Sequence, residues 1–305
     1  MTDAAKLADA LSKDELRRLS TPSAVKATLS LIGNWAMIVG AFALAIIWPN
    51  PLSILASILL LGGRQLGLAV LNHDCAHNAF YKSQRLNDFV GHWLTGGPIN
   101  VSVYAYRAYH LKHHKYAGTK EDPDLTLVKG YPVTRDSLRR KFIRDFTGQT
   151  GVRDTIYELK KFRLPKHAPW LAFHVVLLAS LAAVGALWAY ALWWAARLFA
   201  YPAIVRLRLI GEHGVAINRL SSDPRENTGT TRANWIERIF IAPNSVNFHL
   251  EHHHFAAVPG YNLPEMHRLL SSRGYYRGFD CIASSYADVL RRAIREDAPN
   301  MVAAE

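Results

Sequence analysis

Three stretches of the chain concentrate imidazole. "LNHDCAHNAF" holds His73 and His77, "YHLKHHKYAG" holds His110, His113 and His114, and "VNFHLEHHHFAAVPGY" holds His249, His252, His253 and His254. The spacing is i, i+4 in the first and i, i+3, i+4 in the other two, and these intervals share one face of a helix. His254, one position further, is rotated off that face. A solvated polar helix has no reason to repeat one period three times. Neutral imidazole ligates zinc, copper, nickel and iron. A catalytic zinc takes three protein ligands, so eight face-matched imidazoles are too many for one ion and suit two. An i, i+4 pair can clasp one ion, and each triplet can straddle both. Carboxylate-rich di-iron bundles use Glu and Glu-x-x-His, a pattern missing here. The spacing therefore predicts an all-histidine dinuclear site, with iron the favoured metal.

The elements that must position these residues are membrane helices. Thr28–Trp48 is uncharged, and Pro51–Leu71 follows a "PNP" turn with Arg64 as its one charge. Ala168–Trp188 and Ala189–Ile210 form a second closely joined pair, the last interrupted by Arg197, Pro202, Arg206 and Arg208. Each run reaches the ~20 helical residues that cross a bilayer core. Lys and Arg number 5 in Met1–Lys26, 17 in Asn72–His167 and 12 from Val205 onward, and none lies in the two short hairpin turns. Basic residues collect on the cytoplasmic side. The net charge of +12 thus reflects topology rather than nucleic-acid binding, which would want a basic stripe on a soluble fold.

The expected architecture is an all-α, multi-pass integral membrane protein forming one domain over residues 1–305. Four transmembrane helices (28–48, 51–71, 168–188, 189–210) make two hairpins under a helical cytoplasmic cap (72–167 and 211–305) that carries the metal site, with both termini cytoplasmic. Leu86–Tyr109 is half apolar. If it crossed the membrane, the first two clusters would face opposite compartments, so it reads as surface-lying or shallowly re-entrant. Cys75 and Cys281 are too few for a disulfide framework or a thiolate zinc site. Ser12–Glu15 reads as a capping box opening an amphipathic helix. The first 26 residues lack the apolar region of a signal peptide.

H-x-x-x-H, H-x-x-H-H and H-x-x-H-H, with one membrane hairpin before the first box and another between the second and third, resembles the membrane fatty acid desaturase superfamily. "HDCAHNAF", "HLKHHKYAGTKEDPDL" and "NFHLEHHHFAAVPGYNLP" read like its members, and the resemblance covers roughly residues 28–270. It implies a non-haem centre of two iron ions, O2 as oxidant and a separate electron donor, a ferredoxin or a cytochrome b5-type protein. The activity it implies is desaturation of the alkyl chain of a membrane lipid or fatty acyl substrate. The alternative is a hydroxylase or ketolase of the same superfamily acting on a carotenoid, sphingolipid or alkane. The resemblance also implies a ninth ligand between the last span and the third box, matched by His213 in "LIGEHGV". The implied set is then His73, His77, His110, His113, His114, His213, His249, His252 and His253. The asparagine that acyl-CoA desaturases place near that extra histidine is missing before His213, which weakens the case for an acyl-CoA substrate. A membrane metal carrier, the rival from another class, would place its ligands within its membrane helices.

Asp74, Asp122, Asp124, Asn72 and Asn247 are candidates for acceptors that fix the imidazoles from behind. His92, His167 and His267 read as interfacial or surface groups, and His174 as a hydrogen-bonding group inside the bundle. Glu251 and Lys112 are expected to face solvent or to pair.

Overall fold

The computed structural model describes residues 10–295, so the sidedness expected for the two termini falls on residues outside that range. Helix α1 (Lys13–Ser20) opens on the predicted capping box: Ser12 Oγ accepts from Glu15 N–H and Glu15 reaches back to Ser12 N–H. Its buried Leu19 packs with Leu250, Met266 and Leu270, and Arg18 and Glu15 pair with Glu265 and Arg273. The amphipathic helix thus lies on protein.

Helices α2 (Ala24–Ile47) and α3 (Pro51–Ala76) form the first hairpin. Asn50 caps α3 by accepting from Leu52 and Ser53 N–H, and Pro51 occupies the first helical turn, where its missing N–H costs nothing. At 26 residues, α3 is about 39 Å long. It outruns a bilayer core and carries His73 out on its final turn. The chain then turns through Gln84–Phe89, a π turn (Val90–Gly96) and a 3-10 turn (Gly97–Ile99) into α4 (Val103–Tyr116). The His73 and His110 rings end 4.5 Å apart, so this half-apolar segment returns to the end from which it left.

Helices α5 (Arg135–Phe146) and α6 (Gln149–Lys160) lead into α7 (Leu164–Ala183). Among the described residues, three helices, α2, α3 and α7, are long and apolar enough to cross a membrane. The expected third span, 168–188, is displaced: α7 starts at Leu164 and ends at Ala183. Gly185 takes φ +68, a left-handed position that ends helices, and Trp188 falls in a 3-10 turn. The expected fourth span, 189–210, is helical in pieces rather than one long helix. Tyr190–Ala195 is followed by a π turn (Ala196–Ala200), then α8 (Tyr201–Leu209), then a second π turn (Ile210–Gly214). Pro202 lacks the N–H that a regular helix would need there, and the first π turn absorbs the fault.

The chain continues through Pro224–Asn227, Trp235–Phe240, α9 (His249–His254), α10 (Leu263–Ser272) and Tyr286–Arg292. Two two-residue strands, Thr230–Thr231 and Ile282–Ala283, pair in parallel. One core fills the bundle, with Ile38, Phe42, Leu61, Leu68, Leu181 and Trp193. Another lies under α9 and α10. Arg64 and Arg197, the two arginines of the expected spans, both have structural partners. Arg64 donates to the carbonyls of Arg238 and Ile239 at the end of Trp235–Phe240, and Arg197 pairs with Glu158 at 2.7 Å.

Candidate metal centre

All nine predicted histidines meet, and they sort into two groups. His73, His77, His110, His114 and His252 form one; His113, His213, His249 and His253 form the other. Within each group the candidate ligand atoms lie within 4.8 Å of one another. The sorting follows helix geometry. From residue i, position i+4 lies about 40° one way and i+3 about 60° the other. The i, i+4 pairs His110/His114 and His249/His253 therefore each serve a single group. The i+3 residues, His113 and His252, cross to the opposite one.

The ring nitrogens converge. His114 Nε2 lies 3.0 Å from His110 Nε2 and 2.9 Å from His252 Nε2. In the second group His253 Nε2 lies 3.2 Å from His113 Nε2 and 3.1 Å from His249 Nε2, which is itself 3.1 Å from His213 Nε2. Several outward nitrogens have acceptors. His113 Nδ1 meets Asp122 at 2.7 Å, His213 Nδ1 meets the Asn227 carbonyl at 3.2 Å, and His73 Nδ1 meets Asp74 at 3.3 Å. A proton held on Nδ1 leaves the Nε2 lone pair facing inward, the arrangement that orients metal-binding imidazoles.

Burial disfavours protonation of most of these rings. It presses His110, His249, His252 and His253 well below the ordinary imidazole value, and neighbouring rings add to the effect. His213 falls to about 4 and His114 to about 2 for the same reason. At His113 burial also pushes down, but the Asp122 hydrogen bond and the charges of Asp124 and Glu212 reverse it and raise the ring. His73 Nε2 and His77 Nε2 are buried with no hydrogen-bond partner. Leaving such atoms unmade costs ~1–3 kcal/mol each, a penalty that a cation between them would remove. The donor set fits a pair of imidazole-binding transition metals.

The surrounding residues divide. Asp122 folds back through the "EDPDL" loop, where it also accepts from Asp124 N–H at 2.8 Å, and Asp124 accepts from Tyr109 at 2.5 Å. Asp74 accepts from Gly260 N–H at 2.8 Å, tying the end of α3 to the chain after α9. Asn247 donates instead to the Thr231 carbonyl, and the Asn72 side-chain oxygen has no partner, so neither hydrogen-bonds a cluster histidine. Lys112 is exposed. His254 stands outside both groups, 3.1 Å from the Tyr275 hydroxyl.

Two expectations for peripheral histidines need correction. His167 is buried, its Nδ1 engaged by the Arg163 backbone. His267 lies 2.5 Å from Glu251, which is fully buried and also accepts from Tyr276 and Thr230. Sequence reasoning missed this support beneath the third box, although a carboxylate between ligand positions on a buried helix is a signal that demands partners. It also missed Glu212, paired with Arg208 at 2.5 Å and 3.5 Å from His249 Nδ1.

The sequence model of the family described as fatty acid desaturase matches residues 48–283. The chain is 22% identical over 271 residues to the sn-1 oleoyl-lipid 12-desaturase of Anabaena variabilis, an alignment covering 81% of this chain and 74% of that protein. It is 24% identical over 268 residues to the dihydrorhizobitoxine desaturase of Bradyrhizobium elkanii, covering 78% and 72%. A shorter match, 38% over 72 residues, is to the sn-1 acyl-lipid omega-3 desaturase (ferredoxin) of Nostoc sp. (strain 36), covering 24% and 19%.

Proposed function

The chain belongs to the fatty acid desaturase family, and from that premise we propose that it desaturates the alkyl chain of a membrane lipid or fatty acyl substrate, with O2 as oxidant. The observation that carries this reading is the convergence of nine imidazoles into two adjoining groups beside helices able to span a bilayer. His73, His77, His110, His114 and His252 would hold one iron; His113, His213, His249 and His253 would hold the other. When bound, the irons would supply the oxidation of an unactivated C–H bond, chemistry that side chains do not provide.

The protein's own part is orientation and exclusion of water. Asp122 keeps the His113 proton on Nδ1, the Asn227 carbonyl does so for His213, and Asp74 braces His73 while holding the chain behind α9. Burial of His113, His252 and His249 to between 1% and 4% exposure keeps bulk water from the ligating nitrogens. Helix α3 runs from the membrane directly into His73 and His77, so a substrate chain kept in the bilayer reaches the centre without crossing water. The sidedness of the basic residues supports a cytoplasmic centre and a single domain built around it. A ferredoxin-type donor is favoured, in line with the name of the Nostoc relative.

The test is expression in a host whose lipids are profiled by mass spectrometry, with iron counted on the purified chain. Loss of two hydrogens from an acyl chain and two irons per chain is the expected result. Gain of an oxygen would move the reading to a hydroxylase. An unchanged lipid profile with two irons bound would point to a non-lipid substrate, as the name of the Bradyrhizobium relative allows. One zinc and no iron after reducing purification would overturn the centre.

A further inference from the structure

Two polar loops, 117–129 after α4 and 216–222 after the second π turn, carry apolar side chains that point outward. Leu127, Ile217 and Leu220 are 54%, 60% and 49% exposed. The loops are pressed together. Gly118 takes φ +81, and a Cβ there would run into the Ser221 carbonyl, so only glycine permits the approach. Arg219 locks the joint, donating to the Val128 carbonyl at 2.9 Å and to the Tyr131 carbonyl at 2.7 Å. The charge left over is positive. Lys120 and Lys129 are exposed, and neither joins an ion pair among the described residues. Of the acids, Asp122 is turned to His113, Asp124 to Tyr109 and Asp223 to Arg225, which leaves Glu121 beside Lys120.

This face stands directly outside the group that contains His213. Asn227 Nδ2 donates to the Ser221 carbonyl at 2.8 Å, and the Asn227 carbonyl accepts from His213 Nδ1 at 3.2 Å. One residue with a hydrogen bond on either side therefore joins the neighbour of Leu220 to an imidazole of the centre. The crevice alongside, lined by Gly118, Asp122, Val128, His213, Arg219 and Asn227 among others, has room for about one water. An alkyl chain does not pass there, but an electron does. Asn218 and Ser222, exposed between the apolar side chains, argue against burial of this face in a bilayer. An apolar centre inside a charged rim is the anatomy of a protein–protein contact, and a positive rim selects an acidic partner.

We propose that Lys120, Leu127, Lys129, Ile217 and Leu220 form the docking surface for an acidic one-electron carrier of the ferredoxin type, and that Asn227 passes the electron on to His213. What the electron is used for rests on the desaturase reading; the surface does not. Taking two hydrogens from an alkyl chain releases two electrons and two protons, whereas reducing O2 to two waters takes four of each. The carrier supplies the two missing electrons, one per docking as its reduced cluster is oxidised, and solvent supplies the two protons. The experiment uses the full chain in detergent with iron counted, an immobilised plant-type [2Fe–2S] ferredoxin to read affinity, and dithionite as a reductant that needs no docking. The double variant Lys120→Glu/Lys129→Glu should weaken ferredoxin binding about tenfold at low salt and hardly at all at high salt, as screened rim charges do. Lys120→Arg/Lys129→Arg should bind as the parent chain does. Leu220→Asp should weaken binding about tenfold at both salt levels, because it spoils the apolar centre. Iron content should not change, and reduction by dithionite should not slow. No binding of ferredoxin by the parent chain, or equal affinity in every variant, would overturn the proposal; a smaller detergent-solubilised particle in those same variants would give the face to a second copy of the chain instead. If Leu220→Asp fails to fold, the two lysine pairs decide. Variant-sensitive binding with no oxidised lipid under either reductant overturns the desaturase reading and keeps the surface. Oxidised lipid with insensitive binding overturns the surface alone.

Discussion

The two histidine groups lie side by side but are built differently. The five-membered group takes His73 and His77 from the end of α3, a helix anchored in the bundle, and its outward support is thin: Asp74 approaches His73 at 3.3 Å. The four-membered group takes His213 from the turn after α8 and two members from α9. It has one imidazole fewer but more acceptors behind it, with Asp122 at 2.7 Å from His113, the Asn227 carbonyl at 3.2 Å from His213 and Glu212 at 3.5 Å from His249. One group has more imidazoles, the other more acceptors behind them. Acceptors behind an imidazole raise its basicity and fix its ring, so the second arrangement can offset a missing ligand.

The sharpest way to break this comparison is to remove one ligand from each side. His253→Ala leaves three imidazoles in the four-membered group. Iron should fall to about one per chain and product by more than the ~10–100-fold typical of losing a supporting residue. His110→Ala leaves four in the other group and should retain more iron. Equal iron loss in the two variants, measured by elemental analysis, would erase the distinction.

Next in size are the supports. Asp122→Asn should weaken metal binding or activity by about 10–100-fold, and Asp74→Asn by less, because its contact with His73 is longer. Mössbauer spectra of the iron-loaded variants should show Asp122→Asn altering one iron and Asp74→Asn the other. Smaller again is Gly260→Ala. The added Cβ would sit 2.9 Å from Asp74 Oδ2 and 3.0 Å from the Asn244 carbonyl. The overpacking should cost about 1–3 kcal/mol, read as a lower melting temperature with iron still bound. The smallest effect belongs to His254→Ala, which removes only the Tyr275 contact, worth ~0.5–1.5 kcal/mol. It should keep both irons and most activity; loss of iron here would mean the third box is not seated as described.

Much of this site was legible because histidine spacing and helix period are both short-range facts. Their combination brought eight residues to one place on paper and left His254 outside, and the family resemblance added His213. The allocation between groups was legible too, though unread: i+3 and i+4 diverge by about 100°, so His113 and His252 had to point away from their neighbours. What the sequence concealed depends on contacts between distant segments. Nothing local links Asp74 to Gly260 or Glu251 to Tyr276. The broken fourth stretch was half visible, since Pro202 advertised a fault without saying whether a kink, a gap or an extra residue would absorb it. Gly185 was a stop signal hidden by the absence of charge around it.

The π turn at Ile210–Gly214 has one more consequence. Such a turn is an α-helix with one residue too many, the trace an insertion leaves when the helix closes around it. Excising a single codon there would let the helix run on regularly and swing His213 about 100°, away from its three companions. One codon therefore separates a chain with nine converging imidazoles from one with eight. That step can be retraced at the bench by deleting Gly211 and counting the irons that remain.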